Sequence, residues 1–396
     1  MIKQILKKIH IIQKNSSKIN NVTDPKSKMT VSETITIDDS KVQRSINKNL
    51  DVVYYNYNEN IDFKQFNEVY VWDLDKTYLD TSIDSFKGLV KTVFEKSMTK
   101  KNVPASAELL LSLAETRKKY FSDPLFPLFF VSASPPQMES KIYEKFMLDS
   151  IQPIGMFYKD NLKNLTPTRL LFLKRQIGYK VQALLQLRSK LSADVRMICF
   201  GDDSESDAII YNLFSDICAR RQTPKQLYLL LENLGVNFQQ IDEIISLQAL
   251  VPIQDPVEKI YINLATDTDP DYYLKFGRRT LATYDTFQVA LDLVQDQRLS
   301  LQQLGNVIQS LIQKYQISNT MLIRHFDDLI RRRVLGLSTF EMIKNYLIEL
   351  KIISHSWAPQ YQPLKEKIVE NGHVYQLDGL FEPWIKSNND YLNNIF

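Results

Sequence analysis

Val69-Tyr70-Val71-Trp72-Asp73-Leu74-Asp75-Lys76-Thr77 sets four apolar residues directly before two carboxylates that are one residue apart. A short run of β-branched and aromatic residues reads as a buried strand, and the polar residues after it mark its carboxyl end. The pattern recurs. Leu128-Phe-Phe-Val131 runs into Ser132-Ala-Ser134, and Val195 to Phe200 runs into Gly201-Asp202-Asp203-Ser-Glu-Ser-Asp207. Lys259-Ile-Tyr-Ile-Asn-Leu264 reads as a fourth strand. Helical periodicity lies between them, for example over 105–116 and 137–148. Strands alternating with helices predict an α/β domain of three layers, with a parallel sheet at its centre.

The flanking regions have a different texture. Residues 1–50 carry ten Lys/Arg against four Asp/Glu, a balance of +6 in a chain of net +3, so the remainder is mildly acidic. The leader reads as a basic, flexible arm over 1–60 that can touch an anionic surface. The stretch 31–37 alternates like a short strand. The α/β domain is expected over 61–268, with a helical insert at about 221–255. Residues 269–396 are expected to form an all-helical C-terminal domain with helices near 284–297, 300–315, 318–334 and 339–351. Ser318 and Ser338 lie near the N-caps of the last two, and Gly336 punctuates the end of one helix. Hydrophobic residues make up 44% and charged residues 24%, an ordinary globular mix. No run of 18 apolar residues is present, so no transmembrane segment is expected. Two cysteines make no disulfide framework, and Cys199 reads as a buried thiol, which points to the cytoplasm. The four histidines lack zinc spacing.

Ligands of an open parallel sheet bind beyond the carboxyl ends of its strands, so the polar ends above converge on one crevice. Carboxylates crowded there repel one another unless a cation neutralises them. All-oxygen ligation favours Mg²⁺. Asp73 is placed to attack phosphorus in line. Asp75, past the turn, is placed to protonate the leaving oxygen and then to activate water. Lys180 is the best candidate to neutralise the transferring group, ahead of Lys159 and Lys174, since it is taken to open the helix before the third strand. Thr77, Ser132, Ser134 and Lys180 are the candidates for holding phosphate. Asp203 and Glu205 read, as single residues, as solvated loop charges.

Asp73-x-Asp75-x-Thr77, Ser132, Lys180 and Asp202 with Asp207, in that order, resemble the four motifs of the haloacid dehalogenase (HAD) superfamily, whose domain is Rossmann-like. Within it the chain resembles the catalytic domain of actin-patch-associated phosphatidate phosphatases and their bacterial relatives. The matching stretches are Asp73–Thr77, Val103–Leu109, Phe130–Pro135, Tyr158–Asp160, Tyr179-Lys180, Gly201–Ser204 with Asp207, and Ile260–Ile262. A lone Asp-x-Asp is weak evidence, and four ordered motifs are strong. The resemblance implies a phosphomonoesterase with Mg²⁺ held by Asp73, the carbonyl of Asp75 and Asp202, supported by Asp203 or Asp207. The chain departs from the family at Lys76, Pro136 and Ser206, which bears on substrate rather than reaction type.

Other readings of these residues are weaker. An ion-pump phosphorylation motif continues Gly-Thr after its threonine, whereas Tyr78-Leu79 follows here. A dehalogenase lacks the second aspartate. A catalytically retired scaffold that keeps the phosphate pocket is the remaining alternative. The expected partner is a phosphorylated substrate, a lipid or other large molecule, because the gaps between motifs leave no room for a large cap. Nucleic acid is not expected. Arg324 and Arg331-Arg332-Arg333 read as a solvated helix end.

Overall fold

A computed structural model describes residues 33–35, 43–46, 51–81, 101–121, 125–160, 169–265, 268–363, 368–370, 373–375, 383–386 and 389–392. Most of the basic leader lies outside these residues. Along the chain come strands β1 (Glu33–Ile35), β2 (Gln43–Ile46), β3 (Val52–Asn56) and β4 (Glu68–Asp73). Then follow α1 (Ser106–Phe121), β5 (Leu128–Ser132), α2 (Glu139–Leu148), β6 (Gly155–Lys159), α3 (Arg169–Arg188) and β7 (Arg196–Asp202). Helices α4 (Asp207–Cys218), α5 (Pro224–Asn233) and α6 (Phe238–Leu250) lead to β8 (Val257–Asn263) and β9 (Thr280–Thr283). The chain ends with α7 (Thr286–Gln295), α8 (Leu301–Gln313), α9 (Asn319–Arg331), α10 (Leu337–Glu349) and a small hairpin of β10 (Ile368–Glu370) and β11 (His373–Tyr375).

Strands β1 to β9 form one sheet in the order β1-β2-β3-β6-β5-β4-β7-β8-β9. The six strands from β6 to β9 in this order pair in parallel, and β3 adds antiparallel to β6. Strand β4 is flanked by β5 on one side and β7 on the other. The chain winds outward from β4 in both directions, which makes β4 the point where the strand order reverses and a crevice opens.

Alternate residues of β4 feed two cores. Val69 and Val71 pack with α3, α4, α5 and α6 on one face, while Tyr70 and Trp72 pack with α1, α2 and α7 on the other. All six residues of β4 are buried, as a strand covered on both faces requires. The Trp72, Phe200 and Tyr261 rings stack across β4, β7 and β8, at 4.2 and 5.0 Å between centroids. This is the predicted three-layer α/β architecture, with a helical region at the C-terminus.

Three details differ from the sequence expectations. Residues 52–56, assigned to the arm, form buried β3, because Val52-Val53-Tyr54-Tyr55 is itself a β-branched and aromatic run. The region after 268 is not helical alone: β9 extends the sheet, and helices α7 to α10 share the core that lies on Trp72. The last helix starts at Leu337 with Gly336 as its N-cap, so Gly336 opens this helix rather than ending the one before, and Ser338 lies two residues past the cap. Ser318 does cap α9, accepting from the Met321 amide.

Candidate active site

The turn after β4 is held tightly. Lys76 adopts φ +57, the left-handed region that an L-residue other than glycine, asparagine or aspartate rarely visits. Its amide donates to the Leu79 carbonyl at 2.6 Å, and the amides of Tyr78 and Leu79 both return to Leu74. The Tyr78 hydroxyl reaches Asp149, and its carbonyl accepts from Ser106 and the Val103 amide. Tyr78 therefore anchors the turn in the core. Asp75 is buried, and the Ser134 hydroxyl lies 3.5 Å from its carboxylate. The Thr77 hydroxyl is buried without a hydrogen-bond partner.

Strand β5 brings Ser132 beside this turn. Its hydroxyl accepts from the Ser134 amide at 3.0 Å, and its carbonyl accepts from the Tyr179 hydroxyl at 2.7 Å. Tyr179 thus docks α3 onto the end of β5, and the next residue reaches the other loops. Lys180 lies in the middle of α3 rather than at its start, and it is 1% exposed. Its ammonium lies 2.8 Å from Asp73, 2.8 Å from Glu205 and 2.5 Å from Asp207. Lys159 instead lies over the Tyr179 ring. The side chain of Lys174 is outside the described set.

Strand β7 ends in Gly201-Asp202. A Cβ at Gly201 would stand 2.5 Å from both Cβ and Oδ2 of Asp207, so only glycine lets α4 begin this close to the strand. Asp207 accepts the Asp202 amide on Oδ2. Asp202 Oδ1 accepts from the amide and hydroxyl of Ser204 and from the Glu205 amide. Asp73, Asp202, Glu205 and Asp207 each offer an oxygen within 4.8 Å of the others. Glu205, read from sequence as a loop charge, belongs to this group. Asp203 does not: its two oxygens accept from the Ala265 amide and the Thr268 hydroxyl, bracing the segment after β8. Nor does the side chain of Asp75 join it.

The electrostatics follow from four grouped carboxylates, three of them paired with one ammonium. Burial, followed by the neighbouring carboxylates and against the pull of Lys180, pushes the Asp73 carboxyl well above its ordinary range. Burial together with Glu205 and Asp207 does the same to Asp202. Asp207, buried but paired with Lys180, is pushed up to about 6. Burial opposes the charge on Lys180, yet Asp207, Asp73 and Glu205 outweigh it and hold the ammonium well above the usual lysine value. Asp73 Oδ2 and Asp202 Oδ2 are buried without a donor. Unpartnered buried carboxyl oxygens grouped in this way are compatible with a divalent cation held by hard oxygen donors. The residues present fit a divalent ion.

Residues 68–221, from β4 to just past α4, match the family model described as phosphatidate phosphatase APP1, catalytic domain. This segment is a phosphatase catalytic domain. No curated protein and no solved structure matches the chain. The phosphatase domain holds Asp73, Asp75, Thr77, Ser132, Ser134, Lys180, Asp202, Asp203 and Asp207. Strands β8 and β9 and the C-terminal helices lie beyond the match. Among the described residues, no helix is long and apolar enough to cross a membrane.

Proposed function

We propose that the chain is a Mg²⁺-dependent phosphatase that hydrolyses a phosphomonoester through an aspartyl-phosphate on Asp73. The observation that carries this reading is the pair of donorless buried oxygens on Asp73 and Asp202, inside a carboxylate group whose one lysine partner among the described residues is Lys180. Asp73, the backbone carbonyl of Asp75 and Asp202 would hold the metal, with Asp207 and Glu205 around them. When bound, the ion supplies positive charge against the phosphoryl oxygens.

A carboxylate oxygen of Asp73 forms a bond to phosphorus as the ester P–O bond breaks. Asp75 gives its proton to the departing alkoxide. Asp75, now a carboxylate, takes a proton from water while the water oxygen bonds to phosphorus. The bond from Asp73 to phosphorus breaks, orthophosphate leaves, and both side chains return to their starting state. Lys180 fixes the orientation of Asp73 and neutralises charge on the phosphoryl group. Ser132, Ser134 and Thr77 line the same turn and are the donors for the phosphoryl oxygens.

For substrate, the description of the matched family favours a phosphatidate-like lipid. The test is orthophosphate release from p-nitrophenyl phosphate and from phosphatidate in mixed micelles, with Mg²⁺ or EDTA, for wild type, Asp73→Asn and Asp75→Asn. The reading expects Mg²⁺-dependent turnover by the wild type, abolished by either substitution. A wild type silent on both substrates despite binding Mg²⁺ would favour the retired scaffold instead.

A further inference from the structure

Asn263 ends β8, next to Asp202 in the sheet register, and lies beyond the segment that matches the phosphatase family. Its backbone and side chain point to different loops. The carbonyl accepts from the Asp203 amide at 3.1 Å, so it holds the loop that follows Asp202. The side-chain amide donates to the Lys76 carbonyl at 2.7 Å, so it holds the turn between Asp75 and Thr77. Lys76 is the residue in that turn with φ +57. A lysine there relaxes toward ordinary dihedrals unless its surroundings over-determine it.

The Lys76 amide is secured locally, by Leu79. Its carbonyl accepts from Asn263, which comes from another strand 187 residues away in sequence. Asp75 precedes Lys76 directly, and Thr77 follows it. The Lys76 carbonyl belongs to the Lys76–Thr77 peptide, so rotation of that plane would shift Thr77 directly and would reach Asp75 through the dihedrals of Lys76. Aspartate at position 263 cannot make this contact, because a carboxylate has no hydrogen to donate.

We infer that Asn263 is a positioning residue that ties the Asp73–Thr77 turn to the Asp202–Asp203 loop, so that both halves of the metal and phosphate site keep one spacing. This rests on the function proposed above. Asn263 touches neither phosphorus nor the leaving group and acts through the Lys76 peptide. The phosphatase domain is therefore completed by a residue outside its matched boundaries.

The experiment compares full-length wild type, Asn263→Ala, Asn263→Asp and the double variant Lys76→Gly/Asn263→Ala. Each is measured for kcat and KM on p-nitrophenyl phosphate, for Mg²⁺ affinity by calorimetry, and for melting temperature in EDTA. Loss of an outer-sphere tether typically lowers metal affinity or activity by about 10–100-fold. We expect both single variants to lose about 30-fold in kcat, to change KM by less than about threefold, and to bind Mg²⁺ about tenfold more weakly. Glycine takes φ +57 without strain, so Lys76→Gly in the Asn263→Ala background should recover about tenfold in kcat. A purely structural role would not be rescued from position 76. Unchanged kcat and Mg²⁺ affinity in both single variants would overturn the inference. So would a loss confined to melting temperature, or a double variant no better than Asn263→Ala. A wild type that binds Mg²⁺ but hydrolyses nothing defeats the proposed function instead, and the Mg²⁺ titrations alone then decide the tether.

Discussion

Asp202→Asn should make the metal-free protein more stable while abolishing its response to Mg²⁺. Asp202 is 1% exposed, and its Oδ2 has no donor. It shares a group with Asp73, Glu205 and Asp207 in which the oxygens lie within 4.8 Å of one another. At an effective dielectric constant near 20, two unit charges at that separation interact by about 3 kcal/mol. Three repulsions against one attraction to Lys180 leave a surplus of several kcal/mol, which partial protonation reduces. Asparagine keeps Oδ1 for Ser204 and Glu205 and places an N–H donor where Oδ2 stood. We therefore expect a gain of about 2 kcal/mol in EDTA at pH 7.5, or roughly 4 °C in melting temperature. For the wild type, Mg²⁺ at a hundred times its Kd adds about 2.7 kcal/mol, whereas the variant should stay still. Differential scanning calorimetry with EDTA and then Mg²⁺ reads both effects. A variant less stable than wild type in EDTA, or one stabilised equally by Mg²⁺, would refute the electrostatic reasoning.

The same charges set a pH dependence. Folded-state values raised above the ordinary 3.8, with Asp207 at about 6, mean that the folded protein holds protons that the unfolded chain has released. Stability in EDTA should therefore fall as pH rises from about 4 through 6, and Mg²⁺ should raise the melting temperature more at pH 7.5 than at 5.5. Gly201→Ala forces a methyl group against Asp207, and denaturant titration should show a loss of about 1–3 kcal/mol together with weaker Mg²⁺ stabilisation. Lys180→Met removes the ammonium from three carboxylates, and urea unfolding in EDTA should show a loss of about 3–5 kcal/mol, partly restored by Mg²⁺.

Strands β4, β5, β7 and β8 were legible because each carries an apolar run of three or more residues, buried on both faces and closed by polar residues. Asp73 and Asp202 were legible because they stand at those ends, and Lys180 and Asp207, on the helices before and after β7, because they follow in motif order. Other parts depend on contacts that sequence spacing does not reveal. Strand β6 opens with Gly155, where a Cβ would stand 2.3 Å from the Tyr54 hydroxyl of β3, about a hundred residues earlier. Strand β9 is four residues long, too short for a periodic signal. Glu205 and Asp203 look alike as loop acids. What separates them is the reach of Lys180 to one and the return of Ala265 and Thr268 to the other. Asn263 sat at the end of an apolar run with no motif to mark it, and its significance comes from the left-handed turn it faces.

Capture of phosphorus by Asp73 is the step on which the account rests. Asp75→Asn, incubated with Mg²⁺ and a phosphomonoester with a good leaving group, should hold the phosphoryl group because water is no longer activated. Borohydride reduction of an aspartyl-phosphate converts the residue to homoserine, which peptide mass spectrometry locates. Homoserine is expected at position 73, dependent on Mg²⁺ and on substrate. Turnover by the wild type with residue 73 unmodified in the variant, or with the phosphoryl group on another side chain, would contradict it.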